Sequence, residues 1–188
     1  MSDARDNSQK TLQGRQTWFL AVSALSVVLM FVFVILPYVN KKSGSSVSGE
    51  AAQDFDLELL SGGAPGDRIR LSDLRGRIVV VDFWASWCKP CDEQRTYLAQ
   101  AAGALGERAR ILGIATSDER AAAQAHLGQS AVSYSNAYDE EGLVGRAYRI
   151  EQLPTLMVID QKGQIRGRYS EVLSKERIEE IVAQVEAK

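Results

Sequence analysis

The chain has 188 residues, 45% of them hydrophobic and 24% charged, and its 22 basic and 24 acidic side chains leave a formal net charge of -2 at pH 7. That balance is ordinary for a globular protein and offers no positive excess for a nucleic-acid partner. With two cysteines and one histidine, the chain also has few soft ligands for a metal centre.

In chain order, residues 1–17 form a short polar tail, followed by TWFLAVSALSVVLMFVFVILPYVN (17–40), which carries no charged side chain. Residues 18–36 would make a helix about 28 Å long, the thickness of a bilayer's hydrocarbon core. This apolar run exceeds a secretory signal's and no A-x-A-like cleavage site follows closely, so the sequence predicts one uncleaved transmembrane helix. A buried core helix is the weaker alternative, because the segment is apolar all round and borders a flexible tract. Arg5, Lys10 and Arg15 precede it against Lys41 and Lys42 after it, which favours a cytoplasmic tail and an outer domain. Residues 37–50, with SGSSVSG at 43–49, read as a polar linker, and residues 51–188 as one domain able to bury its own core.

Within that domain FDLELL (55–60) and RIRL (68–71) flank the Gly/Pro-rich SGGAPGD and predict a hairpin. RIVVVDF (77–83) is a β-branched run of the kind found in strands covered on both faces. Cys91, Leu98, Ala101, Ala102 and Leu105 then recur at helical spacing. A strand over 109–115 and a helix over 116–127 follow, the helix opened by Thr116 and Glu119 at capping-box spacing. Further on, the pattern predicts a weak strand at 131–136, a short helix at 139–148, and a hairpin of strands at 154–160 and 164–170. A last helix is capped by Ser174, with Leu173 placed to staple against Ile178. Strands alternate with helices, so the class is α/β.

Residues 84–91 read WASWCKPC and hold both cysteines at a strand-to-helix junction. The start of a helix favours the thiolate, because unpaired N–H groups and the positive end of the dipole face the sulfur. Cys88 stands at that start, Lys89 adds a cation, and Pro90 sits where an N–H would be unsatisfied anyway. Cys91 lies one turn later on the same side, in position to attack a mixed disulfide formed at Cys88. A structural cross-link closing so small a loop would constrain the unfolded chain little. Zinc wants about four ligands, whereas His126 is on a distant helical stretch and reads as an exposed helix residue. Redox exchange is therefore the favoured chemistry of the pair.

Asp82 interrupts IVVVDFW on the face that carries Ile78, Val80 and Trp84. It reads either as a solvated acid near a strand end or as a desolvated carboxyl poised to accept the Cys91 proton. Leu153-Pro154-Thr155 places a proline at the opening of a strand, by itself only an edge or turn device.

Together VVVDFWASWCKPC, the downstream LPTLMVID, LSDLRGR and the segment YSNAYDEEGLVGRAYRI (134–150) resemble thioredoxin-fold proteins, most closely the membrane-anchored thiol-disulfide reductases of the TlpA/ResA type. The resemblance implies a thioredoxin fold with an N-terminal β-hairpin extension and a central insertion, preceded by one transmembrane helix. It also implies Cys88 as attacking thiol, Cys91 as resolving thiol, and a cis Pro154 facing the disulfide. Leu153 would offer its backbone to substrate, with Trp87, Lys89 and Pro90 at the rim. Asp82 falls at the position of the buried acid of cytoplasmic thioredoxins, where many anchored relatives carry a neutral residue, which strengthens its reading as proton acceptor. No cofactor beyond the Cys88–Cys91 disulfide is implied. The implied partners are disulfide-containing proteins such as apocytochrome c, a membrane electron donor, and lipid around the anchor, in the bacterial cytoplasmic membrane with the domain facing the periplasm or cell exterior.

A rival from another class is a membrane-tethered copper chaperone or assembly factor using the CxxC as a soft ligand. Oxidase and peroxidase chemistry are enzymatic rivals, although the threonine expected before a peroxidase cysteine is missing.

Overall fold

The computed structural model describes residues 49–129 and 132–187, together with residue 26 and residues 29–31. Those few early residues belong to a separate unit, Met1–Ser43, where Leu29, Met30 and Phe31 are helical and exposed. The expected transmembrane helix at 18–36 and most of the linker at 37–50 lie outside the described residues. Among the described residues no helix is long and apolar enough to cross a membrane.

The second unit, Gly44–Lys188, is built on an eight-stranded mixed sheet in the order β1-β8-β7-β4-β5-β6-β2-β3. Its strands are β1 (Glu50–Ala51), β2 (Asp56–Ser61), β3 (Arg68–Arg70), β4 (Ile78–Trp84), β5 (Ala109–Ala115), β6 (Ser135–Tyr138), β7 (Thr155–Ile159) and β8 (Gln164–Tyr169). Helices α1 (Lys89–Leu105), α2 (Arg120–Gly128), α3 (Leu143–Ala147) and α4 (Lys175–Glu186) connect or follow them. β4 runs parallel to β5 and antiparallel to β7, and all seven of its residues are buried.

Side chains of a strand alternate between faces, so β4 divides the core in two. Val79, Val81 and Phe83 pack with Leu57, Met157, Val144 and Tyr148 on one side. Ile78 and Val80 pack on the other with Leu98, Ala101 and Leu105 of α1 and with Ile178, Ile181 and Val182 of α4. Each such fully buried aliphatic contributes about 1.5–3 kcal/mol of transfer free energy, which pins the register. Asp82 shares parity with Ile78 and Val80 and so faces α1.

The β2–β3 hairpin forms as expected, with β2 also pairing antiparallel to β6. The Ser174 hydroxyl accepts from the Arg177 N–H at the start of α4, and Leu173 packs in the same cluster as Ile178. Three expectations need correction. The Thr116/Glu119 capping box does not form: α2 begins at Arg120 with Glu119 as N-cap and no side-chain cap bond. Thr116 Oγ1 instead donates to Asp139 Oδ2 at 2.6 Å. The weak strand expected at 131–136 is Ser135–Tyr138, drawn toward the C-terminus by its parallel pairing with Leu112–Ala115. His126 is half-buried rather than exposed.

Asp139, 1% exposed, organises the start of α3, because its carboxylate also accepts the N–H groups of Val144 at 2.9 Å and Gly145 at 2.8 Å. Asp139→Ala orphans three buried donors. It should destabilise the domain by on the order of 3 kcal/mol, read as a lower urea midpoint at unchanged m-value.

Candidate active site

Cys88 is the N-cap of α1, with extended backbone (φ -87, ψ 97) and Pro90 in the first turn. Its N–H donates to Ala85 O and its carbonyl accepts from Cys91 N–H, both at 3.1 Å. The two cysteines form a disulfide. Cys88 is 5% exposed and Cys91 1%, which leaves Cys88 the more reachable sulfur. Lys89 and Pro90 are exposed beside them.

The loop before α1 is held from the β5–α2 connection. Asp118 accepts from Ser86 twice, from the N–H and from the hydroxyl, and Ser117 O accepts from Trp87 Nε1 at 3.0 Å. Ser117 adopts φ +53, an uncommon conformation for a side chain other than glycine, which turns its carbonyl toward the indole. Trp87 itself is 63% exposed at the rim. Leu153, half-buried, packs against the cluster of Trp84, Ala85, Cys88 and Cys91, and the Leu153-Pro154 peptide is cis. The chain thus brings the LPT segment to the cysteines across more than sixty positions of sequence.

Behind the cysteines lies a row of buried polar groups. Asp82 is 0% exposed, and among the described residues neither carboxylate oxygen has a hydrogen-bond partner. Burial pushes its carboxyl up to about 7, against the pull of the Arg95 guanidinium. Beside it in the sheet stand Leu156 and Gly113, and beyond Gly113 stands Asn136. A Cβ at Gly113 would collide with Asn136 Oδ1 and press on Trp84 Nε1, so the glycine is there for close approach. Burial first, and the Asp82 charge second, raise the Tyr134 hydroxyl, while Arg95 opposes them.

Arg95 and Gln94 were not singled out in the sequence, yet both are buried on α1. They occupy the inward stripe between Cys91 and Leu98, so the helical spacing carried a signal that their polarity masked. Gln94 accepts from Leu173 N–H at 2.6 Å and donates to Leu173 O at 3.3 Å, tying α1 to the segment before α4.

The residues that a metal reading would recruit are engaged elsewhere. His126 Nε2 lies 2.7 Å from Asp92 Oδ1 and its ring is 6.0 Å from that of Trp84, while Met157 is fully buried in the opposite core layer. Among the described residues no three His, Cys, Asp or Glu side chains gather to hold an ion.

The sequence profile of the AhpC/TSA family matches residues 48–168. A thiol-disulfide oxidoreductase, ResA, of Oceanobacillus iheyensis is 24% identical over 180 residues, covering 94% of each chain. ResA of Geobacillus kaustophilus is 28% identical over 161 residues, 84% of this chain and 90% of that one. Among solved structures, a Chlorobium tepidum protein described as a DsbE thiol:disulfide interchange protein superposes with a TM-score of 0.67 at 26% identity, covering 75% of this chain and 99% of its own. The chain belongs to the AhpC/TSA family of thioredoxin-like proteins, and it is a thiol-disulfide oxidoreductase with a Cys88–Cys91 pair.

Proposed function

We propose that the protein reduces disulfides in other proteins on the outer side of the bacterial cytoplasmic membrane, held there by a helix at residues 18–36. The observation that supports exchange through Cys91 is Asp82, a buried carboxyl without a hydrogen-bond partner among the described residues, on the face that α1 covers from Cys91 onward, while the reductive direction is favoured by the resemblance to anchored reductases. In the reduced enzyme, Cys88 thiolate attacks one sulfur of the substrate disulfide and expels the other as thiolate, leaving a mixed disulfide. Asp82 takes the proton of Cys91. The Cys91 thiolate then attacks Cys88 sulfur, the substrate departs with two electrons and both of its cysteines reduced, and the enzyme is left with the Cys88–Cys91 disulfide. An external dithiol donor in the membrane must return two electrons and two protons, because an oxidising compartment does not.

Leu153 and Trp87 border this sulfur pair. An extended substrate segment would align with the Leu153 backbone as an added strand, and Trp87, Lys89 and Pro90 would form the rim it crosses. Apocytochrome c, whose paired thiols must be reduced before haem attachment, is the substrate class favoured by the resemblance to anchored reductases.

The test is capture with Cys91→Ser, in which the mixed disulfide cannot resolve. Exported proteins with paired cysteines should accumulate as covalent adducts in membranes, and apocytochromes should be among them. Adducts confined to cytoplasmic proteins would overturn the location. A purified protein that oxidises dithiols but reduces no protein disulfide would overturn the direction.

A further inference from the structure

Arg95 is the charged group at the site that the scheme above leaves unused. It projects inward from α1, one turn beyond Cys91, and is only 3% exposed. A guanidinium stays charged in any protein environment, so its burial demands compensation. Hydrogen bonds do not supply enough, since Nε and Nη1 are buried with no hydrogen-bond partner among the described residues. The guanidinium carbon lies 4.7 Å over the Trp84 ring, and Nη1 is 3.8 Å from Asp92 Oδ1, a carboxylate half in solvent. Asp82 has the complementary defect: an acid at full burial, on the face that α1 covers, with both oxygens unpartnered among the described residues. Two opposite charges share one dry layer: Asp82 has no hydrogen-bond partner among the described residues, and Arg95 has the Trp84 face, the Tyr134 hydroxyl and the half-solvated Asp92 carboxylate, so each charge offsets part of the other's loss of water.

We infer that Arg95 is a positioning residue whose guanidinium holds the charge on Asp82, keeping that carboxylate ionised near neutral pH and so able to receive the proton of Cys91. The inference rests on Asp82 as the proton acceptor. The direction of the electrostatics agrees, since the cation pulls the Asp82 carboxyl down while burial pushes it up. Among the described residues, the other elements around Asp82 offer no second cation. β5 and β7 place Gly113 and Leu156 beside it, α4 contributes Ile178, Ile181 and Val182 to that face, and the segment before β6 brings Tyr134. Around Arg95 the titratable groups are Asp82, Tyr134, Asp92 and, through Asp92, His126. A role in packing alone would require only the stacked contact with Trp84.

The experiment follows the Asp82 carboxyl by carbon-13 NMR between pH 4 and 9 in the oxidised full-length protein. Arg95→Met, which keeps an unbranched apolar stem without the charge, should move the titration midpoint upward by at least one unit, a tenfold loss of carboxylate at a given pH below the midpoint. Arg95→Lys should hold it within half a unit, and Arg95→Gln gives the same upward shift from an independent background. The pH profile of the resolving step, measured in single turnover after rapid mixing with a disulfide substrate, should move with the midpoint. An unmoved midpoint in a folded Met or Gln variant overturns the inference. A wild-type resolving rate in Asp82→Asn would instead overturn the acceptor reading and leave the Arg95 coupling standing on the NMR result alone.

Discussion

Cys88→Ser should abolish disulfide reduction, with turnover falling at least 10³-fold to the background of free thiol in the assay, while the domain stays folded. Serine keeps the N-cap position, and an oxygen there caps the α1 N–H groups better than sulfur does. What disappears is the proposed nucleophile: a hydroxyl at its ordinary acidity offers almost no anion at pH 7. Cys91→Ser separates the two half-reactions, since Cys88 remains the more reachable sulfur and can still attack once. That variant should consume one equivalent of substrate and stop as a mixed disulfide, seen as a mass increase of the intact chain. The stability cost in both variants is small, because a disulfide closing a loop of this length removes little entropy from the unfolded chain. Multiple turnover by Cys88→Ser would sink the assignment of the attacking thiol.

The central part of the fold was legible because local pattern and tertiary demand agree there. IVVVDFW reads as a strand buried on both faces, and all seven of its residues are buried. The helix after the cysteines shows its stripe at helical spacing, and Ser174 announces the last helix by a cap that the fold uses. Legibility failed where a distant partner outbids a local one. Thr116 has the type and spacing of a capping residue, yet its hydroxyl goes to Asp139, 23 positions away. The weak strand near 131–136 is placed by the neighbours it pairs with, β5 and β2, and nothing in AVSYSNAY fixes that register. β1 is two residues long and exists only through pairing with β8.

The candidate site divides in the same way. Cys88 and Cys91 are readable from spacing alone. Asp82 is readable as to face, because the period of two puts it with Ile78 and Val80, but its depth depends on α1 closing over it. Pro154 carries no local sign of its cis bond, and only resemblance to known proteins placed it at the sulfurs. Arg95 sits on the inward stripe, where an arginine normally argues for the surface. His126 looked like a solvent residue among alanines until Asp92 and Trp84 were brought beside it.

Asp82→Asn should slow the resolving step and strengthen the fold, two effects of opposite sign from one side chain. Removal of a positioned proton acceptor costs about 10²-fold in rate, and the loss should be greatest near neutral pH. Stability follows from linkage. The carboxyl is raised from 3.8 in the unfolded chain to about 7 in the folded one. Between about pH 4 and pH 7 the folded state therefore holds a proton that the unfolded state has lost, and unfolding free energy falls as pH rises. Below about pH 4 both states are protonated and the group costs nothing through ionisation; above about pH 7 both are ionised and the full penalty applies. A shift of roughly three units corresponds to about 4 kcal/mol at pH 8, an upper bound because the asparagine amide is also buried without an evident partner. Denaturant curves of wild type and Asp82→Asn should nearly coincide at pH 4 and separate progressively toward pH 8, with the variant the more stable. A variant less stable at pH 8, or an equal difference at both pH values, would show that the folded protein does not confine an ionised carboxylate at this position. Under the proposed role of Asp82 such confinement is tolerable, because the ionised carboxylate would be the state that takes the Cys91 proton, and a weaker fold at that pH would accompany the chemistry.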